Sequence, residues 1–436
     1  MSKMPEPKIL IISQLFSAGN AITAINLFSK WNKENLLCAS PIINEFSSKF
    51  SSYYFLGNKE RVLFFPFNII NRIPNSRIIN SIETNEQNIK SQLFTKKVYK
   101  KILMPFLELI GVYDYRIRYK LSSEFCSWVN DNKPKYIYSS IGSIGMAKFI
   151  LDIIDKFPDI KLITHGYDDW VYPKYKTIFR KHLIRKSNAL MQEIVSKSSM
   201  LFAASELMAT EYKALYGKDF YTFHNPVDIF NEPDFRYVDT YEKKITYIGK
   251  IADFNAEAIC KMMKAVDIIN INDKYKVVFD IYTGTDYLTR NTLISYKGMN
   301  TIFHDPVTND EILTILREST ILYLPISISD EIISHTKYSM STKLSEYFAS
   351  GTPVIYCGPQ NIAMAEIIIK YQCALCVPEM DVNKIYSAIS QLLNDELMMI
   401  KYSKNAYHLA INSFDKSIVS QNFYDAIVGQ HFINLI

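Results

Sequence analysis

No hydrophobic stretch in this 436-residue chain is long enough to cross a bilayer as a helix. The longest helix-like apolar run, ILMPFLELIGVY, has about 12 residues where a span needs ~20. The opening MSKMPEPKILIIS places prolines where a secretory leader needs an apolar core, so secretion is not expected. Charge of one sign is also lacking. Lys and Arg total 49 against 44 Asp and Glu, and the net +5 is spread among interleaved acids, which argues against a nucleic-acid-binding arm. The six cysteines, at 38, 126, 260, 357, 373 and 376, are scattered and suit a reducing cytoplasm better than a disulfide framework. Cys373 and Cys376 form a CxxC with no second pair, and packing inside a strand explains them better than a metal. Internal repeats and low-complexity tracts are absent.

What remains is a globular composition, with 48% apolar and 21% charged residues over a length that suits two domains. The 14% aromatic content reads as compositional bias. Short β-branched runs alternate with amphipathic stretches: KILIIS, then AITAINLFSKW; KYIYSS, then GSIGMAKFILDIIDKF; IKLITHG; and SSMLFAAS, then ELMATEYKALYG. This alternation predicts parallel sheets covered by helices on both faces. The pattern lapses around 229–242, a polar, proline-containing linker, and a second α/β series follows. Its strands are KITYIGK, KVVFDIYTG, NTIFHDP, TILYLPI, TPVIYCG and CALCVPE. The expected domains are 1–232 and 240–414, both Rossmann-like, with 415–436 as a helix that packs back on the first domain. In such sheets ligands bind at the carboxyl ends of the strands.

The segment STKLSEYFASGTPVIYC, 341–357, predicts a helix from Thr342 to Ser350 with Ser339 or Ser341 as N-cap. Gly351 suits a left-handed C-terminal position and Pro353 stops continuation. Leu344 and Phe348 would face the sheet, while Lys343 and Glu346 share another face. A helix N-terminus attracts phosphate, Lys343 adds a full charge there, and a carboxylate at Glu346 matches the vicinal diol of a ribose. The plainer alternative is a nearly neutral surface ion pair. Gly249 and Lys250 after a strand in YIGKIADFN, Gly19 in the loop SAGN, His165 and Asp168 in ITHGYDD, and HNPVD at 224–228 are each weak signals alone. Their order is more specific.

That order, ending in KLSEYFASGTPVIYCGPQNIAMAEII, resembles GT-B-fold glycosyltransferases of family 4 along nearly the whole chain. The resemblance implies two Rossmann-like domains facing across a cleft, with a donor-binding C-terminal and an acceptor-binding N-terminal domain. It also implies retaining transfer of a sugar from a nucleotide-sugar to a hydroxyl, without a required metal or other cofactor. Glu346 matches the family's ribose-holding glutamate, Gly249 and Lys250 match its Gly-Arg pair at the diphosphate, and His165 matches the histidine facing the transferred sugar. His304, in FHDPVTND, falls where the nucleobase is cradled. The donor seat expected is therefore Gly19, Gly249, Lys250, His304, Ser341, Thr342, Lys343, Leu344 and Glu346. His165, Lys250 and Glu346 carry the chemistry, and Asp168 lies on the acceptor side. Two positions depart from the family pattern. Tyr338 stands where another glutamate is usual, with Asp330 or Glu331 in a longer loop as candidate substitutes. Asn255 stands where a second diphosphate lysine is usual, a charge that Lys343 replaces.

The acceptor expected is a glycan or polyprenyl-linked glycan in bacterial-type surface polysaccharide synthesis, such as capsule or O-antigen, on the cytoplasmic side. Between Phe94 and Ile110 apolar residues recur at helical spacing among Lys96, Lys97, Lys100 and Lys101, and a second basic segment, KYKTIFRKHLIRK, follows His165. Basic amphipathic segments suit peripheral contact with an anionic membrane, the alternative being a solvated helix face. A sugar-nucleotide 2-epimerase on the same fold and a non-catalytic donor-binding scaffold subunit are the competing functions.

Overall fold

The computed structural model describes residues 6–13, 18–64, 68, 72–79, 109, 117–168, 178–235, 241–252, 254–285 and 298–429. The chain divides into two compact units, 1–224 with 420–434, and 225–419 with 435–436. The dividing point thus falls at His224/Asn225, ahead of the polar stretch that the composition marks as linker.

In the first unit, strands β1 (Ile9–Ser13), β2 (Leu36–Ser40), β3 (Ser52–Phe55), β4 (Arg61–Leu63), β5 (Arg77–Ile79), β6 (Ile117–Tyr119), β7 (Tyr136–Ser140), β8 (Lys161–Gly166), β9 (Ser198–Ala203) and β10 (Tyr221–Thr222) occur in chain order. Eight of them form one sheet, β10-β9-β8-β7-β1-β2-β3-β5, while β4 and β6 pair separately. All the pairings in the large sheet are parallel except β3 with β5. Every residue of β1 is buried, as expected of a strand covered on both faces. One face packs Leu10, Ile12 and Ile137 against the Ile144–Lys156 and Arg180–Lys197 helices. The other carries an aromatic cluster. Phe423, from the Lys416–Val428 helix, lies with its ring 5.0 Å from Phe28, 5.3 Å from Phe202 and 5.2 Å from Phe223. The C-terminal helix therefore completes the core of the first unit.

In the second unit, strands β11 (Glu242–Ile248), β12 (Lys276–Tyr282), β13 (Thr301–His304), β14 (Ile321–Pro325), β15 (Val354–Cys357) and β16 (Leu375–Val377) form an all-parallel sheet ordered β13-β12-β11-β14-β15-β16. Alternation along β14 shows why its sequence is apolar throughout. Ile321 and Tyr323 enter the core beneath the Ala256–Asn272 and Val382–Asn394 helices, while Leu322 and Leu324 enter the core on the opposite face. The order of connection reverses between β11 and β14, so the carboxyl ends of these two strands open a crevice there. Cys373 is fully buried in one of these cores, and burial pushes its thiol up to about 12 and that of Cys376 up to about 11.

Truncation of Phe423 to Ala should destabilise the first unit by about 3–5 kcal/mol, the cost of a large aromatic cavity. Urea denaturation followed by tryptophan fluorescence checks this through Trp31, whose ring lies 6.3 Å from Phe423. A loss below about 1 kcal/mol would mean the helix is not part of that core.

Candidate functional site

The crevice at β11 and β14 is built by a short helix and a tight loop. The helix runs Thr342–Ser350 and ends on Gly351, whose φ of 74° is left-handed. An added Cβ there would collide with Pro233, so glycine is required by both conformation and space. Ser341 is the N-cap but makes no side-chain cap bond, which leaves the first amides of the helix without that partner. Leu344, Tyr347 and Phe348 form the buried stripe. Tyr347 fixes the helix to the sheet, its hydroxyl accepting the Ile248 N–H at 3.0 Å just where β11 ends.

Lys343 and Glu346 occupy the neighbouring stripe, and both are half-buried. The Lys343 ammonium lies 5.5 Å from the centre of the Tyr247 ring, and an added Cβ on Gly249 would lie 2.8 Å from its Nζ and collide with its Cε. Gly249, at φ 140°, thus gives Lys343 its place as well as turning the chain. Burial pulls the Lys343 ammonium below its usual range, with the Glu346 charge opposing. Burial likewise pushes the Glu346 carboxyl up to about 7, with Lys343 opposing. The two are not an ion pair, and neither side chain makes a hydrogen bond among the described residues.

Glu60, in the first unit, shows how this chain satisfies a carboxylate that is only structural. It is 0% exposed and accepts hydrogen bonds from Tyr54 Oη at 2.9 Å, the Gly57 N–H at 3.1 Å, and the Ser76 and Ser122 hydroxyls. Glu346 has no such donors. A desolvated carboxylate without a hydrogen-bond partner among the described residues, beside a desolvated ammonium at the strand ends, makes this the candidate ligand site.

The loop after β11 is held firmly. The Tyr247 hydroxyl donates to the Lys250 carbonyl at 2.7 Å and accepts from Asn255 Nδ2, also at 2.7 Å. Asn255 Oδ1 accepts the Ala252 N–H at 2.9 Å, and the Ile251 N–H donates to Thr285 at 3.0 Å. Asn255, where the family pattern expects a cation, is buried and pins this loop. The Lys250 side chain is exposed.

Other expected site residues fall differently. Leu344 is core, and its N–H is taken by the Ser341 carbonyl at 3.0 Å, so it has no group to offer a donor. Gly19 lies in the first turn of the Ala18–Leu27 helix rather than in a loop. Asp330 and Glu331 open the Asp330–Thr336 helix, capped by Ser329, also not in a loop. Tyr338 is 2% exposed, with Lys337 Nζ 5.0 Å from its ring centre. His304 ends β13. Its Nε2 lies 2.7 Å from Asp280 Oδ1 and its ring stacks on Tyr282 at 4.3 Å. The apolar stripe expected between Phe94 and Ile110 lies outside the described residues, which in that range include only Leu109, not one of its positions.

His165 is expected against the transferred sugar, but its ring is 0% exposed. Nε2 donates to the Phe223 carbonyl at 2.8 Å, which makes Nδ1 the acceptor of the Tyr138 hydroxyl at 2.7 Å. The Tyr138 oxygen is in turn 2.6 Å from the Tyr167 hydroxyl, and burial lowers the His165 pKa to about 3. The imidazole is neutral and enclosed. Tyr167 is the half-buried outer member of this chain, and Asp168, next to it, is exposed. Tyr247, Tyr282 and Asp280 escaped the sequence reading. Their one signal is position, at or near the carboxyl ends of β11 and β12.

Residues 242–395 match the family described as glycosyl transferases group 1. No curated protein matches the chain. Among solved structures, sucrose-phosphate synthase from Thermosynechococcus elongatus superimposes with a TM-score of 0.62 at 11% identity, over 97% of this chain and 98% of that one. HepE from Anabaena, in complex with UDP and glucose, gives 0.60 at 11% identity over 97% and 100%. A putative UDP-N-acetylglucosamine 2-epimerase from Listeria monocytogenes gives 0.55 at 11% identity over 98% and 100%. The fold is GT-B.

The folded carboxyl of Glu346 binds its proton more tightly than an unfolded one, so its contribution to stability is present below about pH 4 and lost as pH rises through about 7. Glu346→Gln should therefore melt above the parent protein at about pH 8 and close to it at about pH 5. Calorimetric melting checks this, and a difference that does not vary with pH would contradict a desolvated carboxyl.

Proposed function

We propose that the protein is a retaining glycosyltransferase whose second unit holds a UDP- or GDP-linked sugar and whose first unit recognises the acceptor. The acceptor is a hydroxyl of a glycan or lipid-linked glycan in bacterial-type surface polysaccharide synthesis. One observation carries the reading: Lys343 and Glu346, desolvated and unpaired, share one helix face at the crevice between β11 and β14. The match of 242–395 to glycosyl transferases group 1 and the UDP bound to HepE support a nucleotide-sugar as the ligand.

In this reading the first-turn amides of the Thr342–Ser350 helix and the Lys343 ammonium receive the diphosphate, with Lys250 at the rim. The Glu346 carboxylate accepts from the ribose hydroxyls. Charge grows on the leaving diphosphate as the C1–oxygen bond breaks, and stabilising that charge is the larger part of catalysis. The acceptor oxygen bonds to C1 on the face that the diphosphate leaves, and its proton passes to the departing phosphate oxygen. This route needs no carboxylate nucleophile and no metal. His165, neutral and enclosed, acts by fixing Tyr138 and Tyr167 rather than by moving a proton.

A second reading rests on Tyr338. A buried tyrosine stands where the family pattern has a glutamate, and Asp330 and Glu331 lie on a helix of their own. A donor-binding scaffold subunit, or a 2-epimerase using the same seat, is compatible with that. Transfer from a nucleotide-sugar to a membrane extract decides for the transferase, while donor epimerised without acceptor decides for the epimerase.

Titration calorimetry with UDP- and GDP-linked sugars tests the seat. Lys343→Ala and Glu346→Ala should each weaken binding by about 10–100-fold, the range of a hydrogen bond to a charged group. Gly249→Ala should weaken it too, because the new methyl displaces Lys343. Unchanged affinity in both charge variants would refute the seat. In the parent protein, affinity should also rise from about pH 6 to about pH 8 as Glu346 ionises, since the phosphates of a nucleotide-sugar stay ionised throughout. Glu346→Gln should abolish that rise, and a pH dependence that survives in it would assign the titration elsewhere.

A further inference from the structure

The sheet of the first unit has a reversal of its own. The chain lays β2 and β3 on one side of β1, then returns to lay β7, β8 and β9 on the other. The carboxyl ends of β1 and β7 therefore flank a switch point. Those ends carry hydroxyls. Ser13 closes β1 and is paired with Ser140, which closes β7. Ser139 pairs with Thr164, which puts Ser140 beside His165, and by alternation Ser13, Ser140 and His165 share the face of the aromatic cluster. Ser13 is only 5% exposed, yet its hydroxyl makes no hydrogen bond among the described residues, and neither does that of half-buried Ser140. A buried hydroxyl without a partner costs folding free energy. Ser139 shows the ordinary solution, its hydroxyl donating to the Ile12 carbonyl at 2.9 Å.

The polarity of the adjoining network is fixed from its inner end. The Phe223 carbonyl can only accept, so His165 Nε2 carries the ring proton and Nδ1 accepts from Tyr138. A phenol has one proton, and that of Tyr138 is spent on His165. The 2.6 Å approach of the Tyr138 and Tyr167 oxygens is then a hydrogen bond donated by Tyr167. Tyr167 has no proton left, and its oxygen meets anything further only as an acceptor. A ligand there must donate, as a hydroxyl does. Negative charge is disfavoured. Asp168, exposed next to Tyr167, is an acid, and β1, β7, β8 and β9 end on Ser13, Ser140, Gly166 and Ala203.

We propose that this row is a subsite for an uncharged sugar, with one ring hydroxyl donating to the Tyr167 oxygen and others bonding to Ser13 and Ser140. Tyr167 is thereby a specificity-determining residue, reading the presence of a hydroxyl proton at one ring position. The inference rests on the reading that the first unit recognises the acceptor, and deepens it. The ring bound here is neutral rather than a uronate or a phosphorylated sugar.

Saturation-transfer NMR of the full chain tests this without nucleotide. The probes are the methyl glycosides of glucose, galactose, mannose and N-acetylglucosamine, beside glucuronate and glucose 6-phosphate. At least one neutral glycoside should receive saturation, and more than either anion. Ser13→Ala with Ser140→Ala should weaken its binding about 5–100-fold, the range for two neutral hydrogen bonds. The same variant should melt no lower than the parent, because neither hydroxyl has a bond to lose, whereas Ser139→Ala should melt lower. Tyr167→Phe keeps a ring against His165 and removes the acceptor. In the parent, replacing one ring hydroxyl by fluorine, which cannot donate, should weaken binding, and in Tyr167→Phe that same replacement should make no difference. The proposal is overturned by a lack of saturation in every neutral glycoside or by preference for the anions. Unchanged affinity in the double serine variant, or a fluorine effect that survives Tyr167→Phe at every position, overturns it too. The donor seat is read separately, by nucleotide-sugar binding to the Lys343 and Glu346 variants, so failure of either site leaves the other standing.

Discussion

The hydrogen bond from the Ile248 N–H to the Tyr347 hydroxyl is the contact on which the proposed chemistry depends. β11 ends at Ile248, where its backbone must find partners outside the ladder. Giving that amide to a tyrosine on the Thr342–Ser350 helix fixes the helix at the strand end, with Leu344 and Phe348 packed beneath. Lys343 is then carried onto Gly249 and over Tyr247, and Glu346 follows three residues later. Their half-burial results from where Tyr347 is tied.

Glu60 and His165 of the first unit and the Lys343–Glu346 pair of the second are treated differently. In the first, Glu60 receives four donors, and His165 is satisfied at both nitrogens by Tyr138 and the Phe223 carbonyl. At these two groups the networks are complete and rigid, with nothing left for a ligand. In the second, the Lys343 and Glu346 side chains are desolvated and make no hydrogen bond among the described residues. Their opposite charges offset only part of the cost of burial, and the proposed donor would offset more of it.

Much of this was legible in the sequence because it is local. The Thr342–Ser350 helix and its stop at Gly351 follow from residues within ten positions of one another, while the choice of Ser341 over Ser339 as cap came from the structure. The ten strands read from apolar runs are all present, because a strand covered on both faces advertises itself by composition. Burial of single residues was not legible, since distant partners decide it. His165 is enclosed by Tyr138, Phe202 and Phe223, the last of them 58 residues away. The first-unit role of the C-terminal helix was readable as amphipathic pattern, but the insertion of Phe423 among the rings of Phe28, Trp31, Tyr138, Phe202 and Phe223 was not. Asn255 could be read only as a missing cation, and its work in pinning the loop appears once Tyr247 and Ala252 are seen around it.

In the proposed seat the phosphate cation, Lys343, lies on the helix rather than in the loop, and this has a geometric consequence. Three residues of α-helix advance about 4.5 Å and turn about 300°, so Lys343 and Glu346 keep a fixed offset whatever the loop after β11 does. A lysine at position 255 would have tied diphosphate recognition to the start of the next helix and ribose recognition to another. Both contacts of the proposed seat sit on one segment, tied to β11 through Tyr347 and closed by Gly351. The loop from Gly249 to Asn255 is left to provide space, which it does by having no side chain at 249 and a neutral, fully engaged one at 255. In the proposed seat the helix thus carries its own phosphate cation, Lys343, while Gly249 supplies the room for it and Lys250 adds charge at the rim.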